Sequence, residues 1–351
     1  MMIKGYNMKT IKVKIIFFVL ILCFNGLFAQ TAKNKVIGRV TIEGTGEPLI
    51  GVNVYLNNST IGTTTNKEGF YILYIPDGRY EIVASIIGFQ PESRFVNVSN
   101  GADKELDFAL KEKVYEMNQV QIEDQFSDEW YKKLKVFKTY LLGQNDFSPS
   151  CRIENEKDIY FSGDYNSKFT VQSYNPVKIR NDALGYLIEC TIIKFEIDNK
   201  NIFCTYSLKT RFTDISDNEP SNKVLWMVNR RRAYVGSLRH FLYTAITKNN
   251  VEDFDVALVK RTDYKEKGTR VKNGNEIIKS IGENPDYLLS FNGFLRVRYR
   301  YNIDFSWIKL LENDSYINYN GYLVNPLSVI QYGKWAFDGL SKLLPLDFIS
   351  F

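Results

Sequence analysis

Between Lys35 and Leu110, short apolar runs alternate with polar turns at regular spacing. In order the runs are Val36–Thr41, Val52–Leu56, Gly62–Thr65, Phe70–Ile75, Tyr80–Ile86, Phe95–Val98 and Glu105–Leu110. Between them stand Glu43-Gly44-Thr45-Gly46, Asn57-Asn58, Asn66-Lys67-Glu68-Gly69, Pro76-Asp77-Gly78 and Gly88. Runs of this length bounded by such turns predict a small antiparallel β-sandwich of about seven strands. In Asn53-Val54-Tyr55-Leu56 and Tyr71-Ile72-Leu73-Tyr74-Ile75 the aromatic and β-branched residues suit a pleated, half-buried surface. Gly69 is expected at positive φ, and Asp77-Gly78 behind Pro76 is a tight-turn signal. Asn66 and Glu68 lack the acidic spacing of a calcium loop and are read as turn formers.

The pattern then changes period. Trp130, Leu134, Phe137 and Leu141 recur at i, i+4, i+7 and i+11, which predicts a helix over Asp128–Leu142, N-capped by Ser127 and ended by Gly143. Strands return at Ile159–Ser162, Lys168–Val171, Gly185–Asp198 and Asn201–Phe212, the last two as a long hairpin turning on Asn199-Lys200. In that register Cys204 faces Phe195 and Cys190 lies opposite Lys209, so Cys190 and Cys204 are poor disulfide partners. Asp214–Asn222 is a polar loop, and Val224–Val228 is expected as buried strand or pre-helical core. Tyr234, Leu238, Phe241, Leu242 and Ala245 then make one helical apolar face over 229–247. Leu295, Val297 and Tyr299 alternate with Arg296, Arg298 and Arg300, a half-buried strand with a cationic outer face expected near the helical arginines. Asn320-Gly321 is a turn, and a last helix is expected over Leu327–Leu343 with Pro345 as its stop.

The first 29 residues read as a cleavable export signal. Lys4, Lys9, Lys12 and Lys14 form a basic region, Ile15–Phe24 is an apolar run of ten, and Leu27-Phe28-Ala29 offers a cleavage site before Gln30. Ten apolar residues are too few to span a bilayer, which takes about 20. Leu22 and Phe24 flank Cys23 where a lipidation site takes small residues. The formal net charge of +5 includes four of these lysines and no acid from the signal, so 5 − 4 leaves +1 for the exported chain. A charge that small gives no electrostatic case for nucleic acid or an anionic membrane. Cys151, Cys190 and Cys204 remain, an odd number that no disulfide framework can pair in full.

The motif order over the first sandwich carries a resemblance. Gly38-Arg39-Val40, Gly46-x-Pro48-Leu49-Ile50-Gly51-Val52-Asn53-Val54, Thr65-Asn66-x-x-Gly69-Phe70-Tyr71 and Gly88-Phe89 resemble the carboxypeptidase regulatory-like domain, over about 80 residues. The resemblance implies a transthyretin (prealbumin)-like sandwich, grouped with starch-binding-like folds, at the head of an exported Bacteroidota protein. It implies no peptidase activity, because in the namesake enzymes this module follows a separate zinc-bearing domain. Val120-Gln121-Ile122 resembles the segment that leads from this sandwich into the plug of TonB-dependent receptors, but about 225 following residues are too few for plug and barrel. A terminal Phe351 is compatible with an outer-membrane barrel, yet three helical patterns interrupt the alternation such a barrel needs.

The expected organisation is therefore a signal over 1–29, the sandwich over 30–115, a linker over 116–127, and an α+β domain with a mostly antiparallel sheet and about three helices over 128–351. Within 229–247, Arg232, Gly236, Arg239 and Tyr243 align on one helical side with His240 beside them. Guanidinium forks around a small residue are suited to a carboxylate, a phosphate or a sugar acid, so Arg232, Arg239, His240 and Tyr243 are the candidate anion- or glycan-binding residues. The competing reading is a basic face whose arginines pair with acids of Asp214–Glu219 or Glu252-Asp253. His240 is the sole histidine, which excludes a His-Glu-x-x-His or carboxypeptidase zinc set, and neither a Gly-x-Ser-x-Gly elbow nor a P-loop occurs. No catalytic residue, metal site or cofactor is assigned. The functional expectation is a non-catalytic cell-envelope protein acting in assembly, adhesion or partner binding at the periplasm or outer membrane. Carbohydrate binding through exposed aromatics and the arginine face is the alternative, and a carboxylate-dependent hydrolase the third.

Overall fold

The computed structural model describes residues 34–99, 101, 103–113, 126–281 and 286–348. The export signal expected over 1–29, the Val120-Gln121-Ile122 segment, most of the expected linker and Phe351 lie outside the described residues.

The N-terminal unit is the expected prealbumin-like sandwich. One sheet holds β1 (Asn34–Ile42), β4 (Phe70–Ile75), β7 (Asp103–Glu105) and β8 (Phe108–Leu110); the other holds β2 (Asn53–Leu56), β3 (Gly62–Thr64), β5 (Gly78–Ser85) and β6 (Glu92–Val98). Alternation sets which side chains meet between them: Tyr71, Leu73 and Ile75 of β4 are buried while Phe70, Ile72 and Tyr74 face outward. Val36, Val40, Val54, Leu56 and Ile82 are among the other core residues, each contributing ~1.5–3 kcal/mol relative to exposure. The expected strand Glu105–Leu110 is split, because the chain crosses Gly38 at Leu106, whose N–H donates to Ile37 O at 2.9 Å. Both halves run parallel to β1, so this sandwich is not wholly antiparallel. Asn66 Oδ1 accepts from the N–H of Glu68 and Phe70, as a turn former does.

The second unit packs α1 (Asp128–Leu142) on a six-stranded sheet made of β9 (Cys151–Ile153), β10 (Ile159–Gly163), β11 (Lys168–Ser173), β12 (Val177–Asn181), β13 (Tyr186–Asp198) and β14 (Phe203–Asp214). Trp130, Leu134, Phe137 and Leu141 are buried against Phe169, Ile188 and Phe195, and Ser127 Oγ accepts from Trp130 N at 3.1 Å. The hairpin register differs from expectation. Asp198 pairs with Phe203, so the loop has four residues and Cys204 faces Ile197; beyond a bulge at Ile192/Lys194, Cys190 lies opposite Thr210. The longer loop closes because Asp198 accepts from the N–H and the side-chain amide of Asn201, at 2.9 and 2.8 Å.

Val224–Val228 is not a strand, and of its five residues only Trp226 is buried. It begins α2 (Lys223–Tyr234), whose inward face is Trp226, Arg230, Ala233 and Tyr234, leaving Val224, Leu225, Met227 and Val228 exposed. The helix then breaks at Gly236, which has φ 76°, and α3 (Leu238–Thr247) starts afresh with Ser237 accepting from His240 N.

A third unit surrounds α3. Its five-stranded sheet holds β15 (Phe254–Val259), β16 (Thr269–Arg270), β19 (Phe294–Tyr299), β20 (Ser306–Leu310) and β22 (Val329–Gly333); its three-stranded sheet holds β17 (Ile278–Ile281), β18 (Asp286–Ser290) and β21 (Asp314–Asn318). Phe241, Leu242, Val256, Leu295 and Ile308 form its core, separate from that of the second unit. The continuous helix expected over Leu327–Leu343 is absent: Val329–Gly333 pairs with β20, and only short 3-10 turns at Pro326–Ser328 and Lys334–Phe337 and the four-residue α4 (Gly339–Lys342) are helical. Gly333 and Gly339, at φ 68° and 55°, turn the chain where a continuous helix requires negative φ.

The strap after Gly339 joins all three units. Leu340 and Leu344 enter the second core, and Leu346 enters the sandwich core. Leu346 N donates to Asn58 O at 2.5 Å, and Asp347 accepts from the backbone and hydroxyl of Thr60.

Candidate functional site

The break at Gly236 separates Arg232, on α2, from Arg239, His240 and Tyr243, which stay together on α3. Arg232 leans over the Phe147 ring at 5.6 Å, with Asn229 and Asp146 beside its guanidinium. Arg239 points the other way. Its Nη1 donates to Tyr322 Oη and Pro345 O, its Nη2 to Leu346 O and Phe348 O, and its Nε to Asn320 O. The fork is filled by the strap. His240 Nδ1 accepts from Gly236 N at 3.1 Å, which assigns the ring proton to Nε2, and burial lowers its pKa. The ring packs among Tyr234, Phe254 and Tyr299. Tyr243 is half-exposed, and its backbone abuts Gly321.

The pairing of arginines with the polar loop holds, but through different residues. Arg230 is almost fully buried and makes a two-pronged contact with Asp214 at 2.7 and 2.9 Å, while donating to the carbonyls of Leu184 and Gly185. Arg180 pairs with Glu219, and Arg300 with Asp253. Arg296 and Arg298 both lie over the Phe305 ring, at 4.9 and 4.8 Å, whereas Tyr299 of the same strand meets His240.

Arg239 does line a cavity, though not with Arg232. The space has a volume of about 550 Å³ and sits where the three units meet. Tyr206, Leu208 and Lys209 of β14 line it, together with Leu238 and Leu323 of the third unit and Leu340 and Leu343 of the strap. The sandwich contributes Asn57, Asn58 and Glu81. Glu81 accepts from Lys209 Nζ, from Asn57 Nδ2 at 2.7 Å and from Ser93 Oγ at 2.7 Å. Asp338 accepts from Lys342 Nζ at 2.7 Å; burial raises its pKa against the pull of that ammonium. Of these ionic groups only Asp338 and Lys342 share a legible spacing, i and i+4 on a helix. Glu81 and Lys209 are 128 residues apart and carry no local signal.

Cys151, Cys190 and Cys204 are free thiols, each pushed up to about 12 by burial. Among the described residues, no group of three or more His, Cys, Asp or Glu side chains is placed to hold a metal ion, and no helix is long and apolar enough to cross a membrane.

Fold and cavity together define a β-rich protein of three joined units headed by a prealbumin-like sandwich. Residues 36–122 match the family model of the CarboxypepD_reg-like domain, so the chain carries such a domain at its N-terminal side. Structural protein 27 of a virus (isolate Australia/Victoria) is 33% identical over 79 residues, which are 22% of this chain and 15% of that protein. The chain thus spans only a small part of that relative. Among solved structures, a DUF3823 family protein from Bacteroides ovatus aligns over 82% of this chain and 99% of its own, at 10% identity and a TM-score of 0.19. The 5-hydroxyisourate hydrolase of Klebsiella pneumoniae aligns over 23% of this chain and 92% of its own, at 18% identity and a TM-score of 0.20. Scores of that size carry no inference about activity.

Proposed function

We propose that this is a non-catalytic, exported cell-envelope protein whose sandwich is a structural and interaction module for an outer-membrane or periplasmic protein. The observation that carries the reading is the way the sandwich is mounted. Its β2–β5 side is bonded to the remainder of the chain: Asn58 N donates to Thr210 O, Phe212 N to Ser59 O, and Arg211 Nη1 to Asn53 Oδ1. The outer face of the other sheet stays open, with Phe70, Ile72 and Tyr74 respectively 52%, 45% and 54% exposed on the edge strand β4. Apolar groups displayed in a row on an edge strand are a surface that proteins otherwise blunt or cover.

The test is affinity capture from envelope fractions with the full chain and with Ile72→Asp. One partner recovered in stoichiometric amount by the former and lost with the latter supports the reading. Equal recovery with both, or none with either, removes it.

Carbohydrate binding is the second reading, favoured by Phe70 and Tyr74 on one face with the Arg39 guanidinium over the Phe70 ring at 5.5 Å. With Arg239 committed to the strap, that reading rests on the aromatics. A glycan array and calorimetry showing no binding to the full chain would end it.

A further inference from the structure

The cavity at the junction of the three units is independent of the β4 face and has its own chemistry. Its volume of about 550 Å³ falls within the range of small-molecule sites. The interior is apolar, built on Leu238, Leu323, Leu340 and Leu343, while Tyr206, Phe95 and Leu327 stand half-exposed at the rim. The charged lining is unbalanced: Lys209, Arg239 and Lys342 against Glu81 and Asp338.

How those charges are satisfied decides what the space accepts. Glu81 already accepts from three donors, the Lys209 ammonium among them. Arg239 spends its donors on carbonyls and a phenol, which neutralise none of its charge. The Lys342 side chain is 11% exposed, and among the described residues its ammonium meets one acceptor, Asp338, for its three N–H groups. A largely desolvated ammonium with spare donors, in a lining with one more cation than anions, favours an anion that supplies acceptors.

We propose that the junction cavity binds a monoanionic amphiphile: an apolar chain lying among the four leucines and a carboxylate-class head accepting from Lys342 Nζ. The binding energy divides accordingly. Burial of the chain supplies most of the affinity, and the head group supplies discrimination between an acid and its neutral analogue.

Calorimetry and thermal unfolding of the full chain with decanoate and with decanol, both below their aggregation limits, test this. Decanoate is expected to bind in about equal molar ratio, to raise Tm, and to bind at least about tenfold more tightly than decanol. The charge-neutral double variant Asp338→Asn/Lys342→Met is expected to lose that preference while still binding decanol. Leu327→Trp, at an exposed rim position, is expected to weaken both ligands without disturbing the fold. The proposal is overturned if decanoate fails to bind, if it binds no better than decanol, or if the double variant keeps the preference. None of these results bears on capture through Ile72.

Discussion

Arg239 Nη2 donates to the Leu346 carbonyl at 2.9 Å, joining α3 to a residue 107 positions further on. Through the same guanidinium the carbonyls of Pro345 and Phe348 are held as well, so one side chain of the third unit pins the strap that enters the other two cores. The residue singled out in the sequence for anion recognition is a clamp on the protein's own backbone.

Removing that clamp leaves three or more carbonyls without a donor. Arg239→Ala is expected to lower unfolding free energy by about 3 kcal/mol, and Arg239→Lys to restore less than half, since an ammonium cannot reproduce the planar fork. Urea unfolding measures the loss, and hydrogen exchange at residues 346–348 should rise first. A change under about 0.5 kcal/mol, the size of an ordinary surface substitution, would refute the clamp.

Arg230 and Asp214 are a partly buried pair, with the Arg230 guanidinium 3.9 Å above the Tyr186 ring. Burial pushes the Asp214 carboxyl up, but hydrogen bonds from Arg230 and Ser216 outweigh it and leave the pKa below its ordinary value. A depressed acid contributes stability that is present above the unfolded pKa, about 3.9, and is lost as pH falls through the folded value. Asp214→Asn should therefore flatten the loss of stability below about pH 4. Arg230→Met should cost about 3–5 kcal/mol at neutral pH, because it strands a carboxylate and two carbonyls.

His240 gives the opposite end of the range. Burial holds its pKa below the ordinary value, with Asp253 opposing weakly. The unfolded chain then binds the proton more readily, so stability is full above the unfolded pKa of about 6.5 and declines as pH falls below it. His240→Asn keeps an acceptor near the Nδ1 position for Gly236 N and should remove this decline. Melting curves between pH 7.5 and 5 that match for both proteins would show that the imidazole does not titrate differently on folding.

Gly185 has φ 69° and sits under the Trp226 indole, where a Cβ would collide with the ring. Gly185→Ala is expected to cost at least about 2 kcal/mol, from the left-handed backbone and the displaced Trp226 together. Loss of the Trp226 Nε1 bond to Asp182 O, 2.8 Å in the native fold, should appear as a fluorescence change. A variant with native Tm would contradict this packing.

The three thiols are raised by burial, so thiolate is scarce at neutral pH. In the native protein at pH 7.5, maleimide labelling should be at least about tenfold slower than in urea. Rapid labelling of Cys204 in the native state would show that the β13–β14 hairpin opens.

Much of the architecture was legible along the chain. Where burial is set by local alternation or a single helical stripe, as in Phe70–Ile75 and in Trp130, Leu134, Phe137 and Leu141, the periodicity names the inward residues directly. The CarboxypepD_reg-like domain was legible for the same reason: its turns and strands are encoded by neighbours in sequence. Failures fall where a distant partner outweighs the local pattern. Val329–Gly333 follows β20 instead of continuing a helix, whereas the β13–β14 register differs for a local reason, Asp198 accepting from the Asn201 amide three residues on. Val224–Val228 is helical with its apolar side exposed, because Trp226 and Arg230 take the inward positions.

Local order, then, belonged to the amino-acid sequence: which stretches of the sandwich are strands, where it turns, and that Ser127 begins a helix. Only the tertiary structure decided that Arg232 and Arg239 diverge at Gly236, and that Glu81, Lys209, Asp338 and Lys342 meet around one cavity. The physical reason is range. Backbone preference and amphipathic spacing act within a few residues, whereas hydrogen-bond satisfaction and charge pairing in a buried junction depend on groups that only folding brings together.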